Sequence, residues 1–115
     1  MIFIKKIKEQ TMQSTHSTFK SFKAFYPYYL KEHRNVTCRR LHFIGSTLVI
    51  VVIAITLLAQ QYSLLWLLPV IGYGFAWVGH FFFEKNRPAT FKYPFYSLWG
   101  DWVMFKDMLV GKIKF

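Results

Sequence analysis

From Leu41 to Phe83 the chain passes through 43 positions without a Lys, Arg, Asp or Glu, and the polar pair Gln60-Gln61 divides this run into two apolar blocks. The blocks, 41–59 and 62–83, each reach the length that crosses ~30 Å of hydrocarbon at ~1.5 Å per helical residue, the first only just. A two-residue break leaves the chain no course but straight back. The pattern therefore predicts an antiparallel transmembrane helical hairpin. A buried αα-hairpin of a soluble protein would show the same pattern, but it needs more protein around it than 115 residues supply.

The flanks follow a helical period instead. Over 18–34, Phe19, Phe22, Phe25-Tyr26 and Tyr29-Leu30 form an apolar stripe with Lys20, Lys23 and Lys31 interspersed. This predicts an interfacial helix whose lysines snorkel to the headgroups. Pro27 predicts a kink or restart, and Arg34 to Thr37 a break, with Asn35 or Thr37 capping the next helix. Asn86-Arg87-Pro88 ends the second span. After Pro94, the aromatic segment 95–110 carries Asp101, Lys106 and Asp107, which favours a second interfacial helix over a third span. With 1–17 read as a flexible N-terminus, the fold class is an all-α integral membrane protein with a single domain over 1–115.

Composition agrees, at 54% apolar and 21% aromatic residues. A net charge of +10 in a soluble chain would suggest nucleic acid, but here the cations flank the spans. Residues 1–40 hold nine Lys/Arg against two acids, 84–115 hold six against three, and the turn holds none. The positive-inside rule then places both termini in the cytoplasm, where the cations attract anionic lipid headgroups and no nucleic acid is expected. The first residues lack the apolar core of a cleaved signal peptide, so the hairpin is expected to be the anchor. The single cysteine, Cys38, excludes an intramolecular disulfide and is expected to be reduced.

Histidines inside a membrane segment are costly and call for a reason. His42 lies 19 residues before Gln61 and His80 lies 19 after it, so a hairpin sets them at one level, at its cytoplasmic end. Gly72, Ala76, His80 and Glu84 recur every fourth residue, and Gly45-Ser46 lie one turn inside His42. Small residues there are expected to bring the helices close and turn both imidazoles into one space. His33 precedes His42 by nine residues, which on one straight helix would place the rings on opposite faces. The break at 34–37 lets His33 fold back toward the pair. Glu84, near a helix C-terminus, calls for a cation, supplied by a metal or by Arg87. Three His with a carboxylate suit zinc, iron or another first-row metal. The same groups also suit a structural polar cluster bonded to headgroups or backbone, and spacing leaves both readings open. His16 is expected to be solvated and uninvolved.

The stretches Phe25-Tyr-Pro-Tyr-Tyr-Leu-Lys-Glu-His33, Cys38-Arg-Arg-Leu-His42-Phe-Ile-Gly45, Gly72-Tyr-Gly-Phe-Ala-Trp-Val-Gly-His80 and Glu84-Lys-Asn-Arg-Pro-Ala-Thr-Phe91 resemble the 2-hydroxy fatty acid dioxygenase-like membrane family. The resemblance covers roughly 19–105 and is to the short bacterial-type members. It departs from the longer ones in having fewer spans and in carrying Cys38 where they tend to have Asn. The resemblance implies an Fe(II)-dependent dioxygenase that shortens 2-hydroxy fatty acids by one carbon, with a 2-hydroxy fatty acid and dioxygen as substrates. By the same resemblance His33, His42 and His80 hold the iron, and Glu84 is a further ligand or a base. Arg39 or Arg40 would pair with the substrate carboxylate, or more commonly bind phospholipid and fix topology. The location implied is a bacterial inner membrane, or the endoplasmic reticulum membrane in a eukaryote. The residues leave open a non-enzymatic membrane protein, a metal or lipid carrier, and a homo-oligomer.

Overall fold

The structure is a computed structural model that describes residues 19–115. The expected flexible N-terminus, 1–17, and His16 lie outside the described residues. Four α-helices make up most of the rest, and no strand occurs among the described residues: α1, Phe22–Lys31; α2, Val36–Ala59; α3, Leu67–Val78; and α4, Pro94–Leu109. A 3₁₀ turn, Tyr62–Trp66, leads into α3, a π-helical turn, Gly79–Glu84, continues it, and a 3₁₀ turn, Ala89–Phe91, precedes α4.

Helix α1 starts at Ser21, whose hydroxyl accepts from Ala24 N–H at 3.1 Å. It does not restart at Pro27. The bond that Pro27 cannot make is to the carbonyl of Lys23, and both residues lie on the exposed face. The break comes at residues 32–35, slightly ahead of the expected position. Asn35 is the cap of α2, its side-chain oxygen accepting from Cys38 N–H at 3.1 Å, so α2 opens five residues before the apolar block begins. At its far end Gln60 takes a left-handed conformation, φ 53°, and its N–H returns to Thr56 O.

Val36–Ala59 and Tyr62–Glu84 are each long and apolar enough to cross a membrane, with mean hydropathies of 2.5 and 1.5. They pack along one another, Cys38 beside Gly79, Gly45 beside Phe75 and Val49 beside Gly72, the order of elements running in opposite directions. A Cβ on Gly45 would stand 2.9 Å from Phe75 Cβ, and one on Gly79 3.0 Å from Cys38 Sγ. Here small residues do bring the helices together. Gly72 does not serve that end, since a Cβ there would meet only Val49 at 3.8 Å.

The apolar stripe of α1 is taken up by protein. Phe25 and Tyr29, one turn apart, are fully buried with Met104 of α4, and Met108 is buried beside them. Phe22 stacks on Trp99 at 4.2 Å between centroids. Two hydroxyl–carboxylate bonds add direction to this contact, Tyr29 to Asp101 and Tyr26 to Asp107, the latter at 2.8 Å. Folding back on α4 places the C-terminal end of α1 over the mouth of the α2–α3 pair.

Candidate metal centre

Each of three histidines is oriented by an oxygen behind it. The chain turns sharply after α1, and the His33 ring stacks on Tyr29 at 4.0 Å while its Nδ1–H donates to Tyr29 O at 2.6 Å. His42 does the same one helical turn back, Nδ1 to Cys38 O at 2.8 Å. His80 lies in the π turn, a geometry frequent at functional sites because the extra residue re-aims a side chain. Its Nδ1 meets Asn86 Oδ1 at 2.7 Å. The Asn86 amide has one orientation, because its Nδ2 donates to Glu32 O at 3.0 Å and to Glu32 Oε2 at 2.8 Å. The left-handed Lys85, φ 57°, turns the chain there so that Asn86 N–H also reaches back to His80 O at 3.0 Å.

These partners fix the tautomers. Two carbonyls and an amide oxygen are acceptors only, so each Nδ1 carries the proton and each Nε2 presents a bare lone pair. The lone pairs face one another: His33 Nε2 is 3.1 Å from His42 Nε2 and 2.9 Å from His80 Nε2. All three rings are buried, at 1%, 6% and 2% exposure, so water does not relieve the repulsion from outside. A proton is a poor answer, since burial, reinforced by the neighbouring His42 and His80, holds the His33 pKa well below the usual histidine value. A metal cation meets the need. The three nitrogens lie within 4.8 Å of one another, as ligands of one ion do. Nitrogens bonded to one ion at about 2.1 Å stand about 3.0 Å apart when their bonds meet near a right angle. The donor set thus fits a first-row metal with positions left open.

The other sequence candidates stand elsewhere. The Glu84 carboxylate accepts from Asn35 N–H and so bonds the start of α2, and it is not one of the three clustered groups. Arg87 lies over the Phe91 ring at 5.0 Å. Arg39 is held on the backbone of the break, Nη1 donating to His33 O at 3.3 Å and Arg34 O at 3.0 Å, with its Nε buried and unbonded. Arg40 donates to Phe115 O at 2.7 Å and covers that ring. Cys38 is buried, its Sγ 3.8 Å from His42 Nδ1.

Asn86, Tyr29 and Asp101 are the residues sequence reasoning missed. Asn86 was legible only as a helix terminator. Asp101 counted only as a charge arguing against a third span, yet it holds Tyr29, on which His33 stacks, and it borders the small space among the three rings. Protein packed around its carboxyl pushes its pKa up to about 7, and the Tyr29 hydroxyl offsets part of that rise. Ser97, 3% exposed, borders the same space with its Oγ unbonded. Gly100 makes the arrangement possible, because a Cβ there would stand 2.9 Å from the Tyr29 ring.

Residues 19–113 match the family described as 2-hydroxy-palmitic acid dioxygenase Mpo1-like, and the chain belongs to that family. No curated protein and no solved structure matches it.

Proposed function

We propose that this member of the family is an Fe(II)-dependent dioxygenase that shortens 2-hydroxy fatty acids by one carbon at a membrane surface. The observation that carries the reading is the convergence of three buried Nε2 atoms on one point. His33, His42 and His80 would hold the ion. Bound there, Fe(II) would chelate the 2-hydroxy acid and supply the electrons by which dioxygen is activated. The balance needs no other oxidant: the C1–C2 bond breaks, C2 becomes the new carboxyl, C1 leaves as carbon dioxide, and one water forms per dioxygen. The chain's own part is positional. Tyr29, Cys38 and Asn86 hold the rings through their acceptors, and burial keeps bulk water from the reacting carbons. Asp101, beside the ring cluster with its pKa near neutrality, is placed to take and return the proton of the substrate hydroxyl. Arg39 holds the break before α2 through His33 O and Arg34 O. Glu84 acts from farther away, by fixing the start of α2.

The membrane setting is part of the proposal. In the apolar windows of Val36–Ala59 and Tyr62–Glu84 only 17% and 11% of residues are buried, unlike core helices of a soluble protein. Leu58, Trp66 and Val70 are among the large side chains left open. We read the two segments as a multi-pass hairpin with both termini cytoplasmic, the ion site at headgroup depth, and α1 and α4 at the interface. A bacterial inner membrane suits this arrangement.

The test is metal analysis and oxygen uptake on protein reconstituted in lipid nanodiscs. One equivalent of iron and conversion of 2-hydroxypalmitate to the fifteen-carbon acid are expected, and both should vanish in His33→Ala, His42→Ala and His80→Ala. Unchanged substrate together with wild-type metal content in all three variants would return the cluster to a structural role.

A further inference from the structure

A cavity of about 250 Å³ lies between α2, α3 and α4, with His42 at one end of its lining. Polar groups gather at this end, where His42 and Asp101 border both this cavity and the space among the three rings, and Ser46 lies one turn from His42. Farther down the walls are apolar, as far as Leu68 and Pro69. From Ala76 to Leu68 is eight residues along α3, about 12 Å of depth at the helical rise. One polar end and a long apolar body is the shape of a fatty acid.

Gly72 points to the cavity's purpose. Gly45 and Gly79 are small because a neighbouring helix presses on them. Gly72 is not pressed: a Cβ there makes an ordinary contact with Val49 Cγ2 at 3.8 Å, and its φ is not positive. Neither packing nor backbone asks for glycine, which weakens a helix interior. What the missing side chain does is leave room in the cavity it lines.

We propose that this cavity seats the acyl chain of the 2-hydroxy acid, carboxyl end at His42 and Asp101 and tail toward Leu68 and Pro69, with Gly72 setting how long a chain fits. The assignment rests on the proposed function for the identity of its ligand, so binding and turnover are measured separately. Trp102 lines the cavity and serves as the probe. In a chain with Trp66, Trp77 and Trp99 replaced by Phe, held in nanodiscs without added metal, 2-hydroxypalmitic acid brominated at mid-chain should quench Trp102. Gly72→Leu should weaken that binding at least roughly tenfold, since an apolar pocket is sensitive to a few methylenes. Gly74→Leu, with open space around its position, should bind as the parent does. Equal affinity in all three chains overturns the assignment. So does equal weakening in both leucine variants, or quenching by brominated phospholipid that the acid fails to displace, which would make the cavity an ordinary lipid seat.

In the iron-loaded protein, Gly72→Leu should lose turnover of the sixteen-carbon acid while keeping that of the eight-carbon acid within about twofold of the parent, a selective loss expected of a shortened pocket. Equal loss at both lengths overturns the assignment. Bound acid without turnover at either length would remove the proposed reaction but support the cavity's role. Turnover indifferent to Gly72 would do the reverse.

Discussion

Asn86 decides which nitrogen of His80 faces the other two rings, and it does so from six residues away with an amide locked by Glu32. Asn86→Leu should therefore lower metal affinity by roughly 10- to 100-fold, the range for losing an oriented partner of a ligating histidine. Competition with a chromophoric chelator would measure it, and unchanged affinity would show that the tautomer is set otherwise. Glu84→Gln keeps an acceptor for Asn35 N–H and should leave metal content unchanged. Two groups give the metal-free protein opposing responses to pH. His33 has its pKa lowered by burial, so the unfolded chain takes up a proton that the folded one refuses, and stability is lost as pH falls below about 6.5. Asp101 has its pKa raised to about 7, so its contribution is full below the unfolded value and lost as pH rises toward 7. Asp101→Asn removes the opposing contribution and should make the loss of stability from pH 7 to 4 steeper than in the parent, as followed by circular dichroism in denaturant. A shallower acid limb would contradict the burial argument for Asp101.

Among the elements, contact between helices separates the glycines into classes that predict different outcomes. Gly45→Ala forces Phe75 aside, and Gly100→Ala meets the buried Tyr29 ring, so each should cost about 1–3 kcal/mol, the usual range for overpacking. Gly74→Ala meets nothing within 4 Å and should gain roughly 0.5–1 kcal/mol from helix propensity alone. Unfolding midpoints in a detergent series would rank them, and a neutral Gly45→Ala would mean that the α2–α3 contact is slack. Hydropathy made the two long apolar segments legible, and the nine-residue interval from His33 to His42 made the break between α1 and α2 necessary for any shared site. The π turn was not legible, because one extra residue in a helical turn leaves no periodic mark. It coincides with the close approach of Cys38 to Gly79 and the bond from Asn86 to Glu32, contacts between residues far apart in sequence. Tyr29 and Asp101 escaped for the same reason, being 72 residues apart. The stripe of α1 was legible as apolar, but not that α4 would cover it.

On the scale of the whole molecule, the charge-free turn at Gln60-Gln61 and the basic flanks require that the turn face away from the cytoplasm if the proposed topology holds. With Cys38 replaced by Ala, Gln61→Cys should react with an impermeant maleimide added outside intact cells, and a cysteine placed at Lys112 should react only after permeabilisation. Labelling with the opposite sidedness would overturn the orientation and place the ion site on the other face.

The nitrogen of His33 and that of His80, 2.9 Å apart, belong to residues separated by 47 positions, with the whole of α2 and of α3 synthesised between them. For a chain that takes up its ion at these three rings, capture cannot precede completion of the second apolar segment and the turn that follows it. A nascent chain that has not reached His80 holds only two of the ligands, each oriented by a carbonyl four residues before it, and the docking of α1 on α4 waits for residues that follow His80. Occupancy by an ion at these rings is then a record of finished assembly.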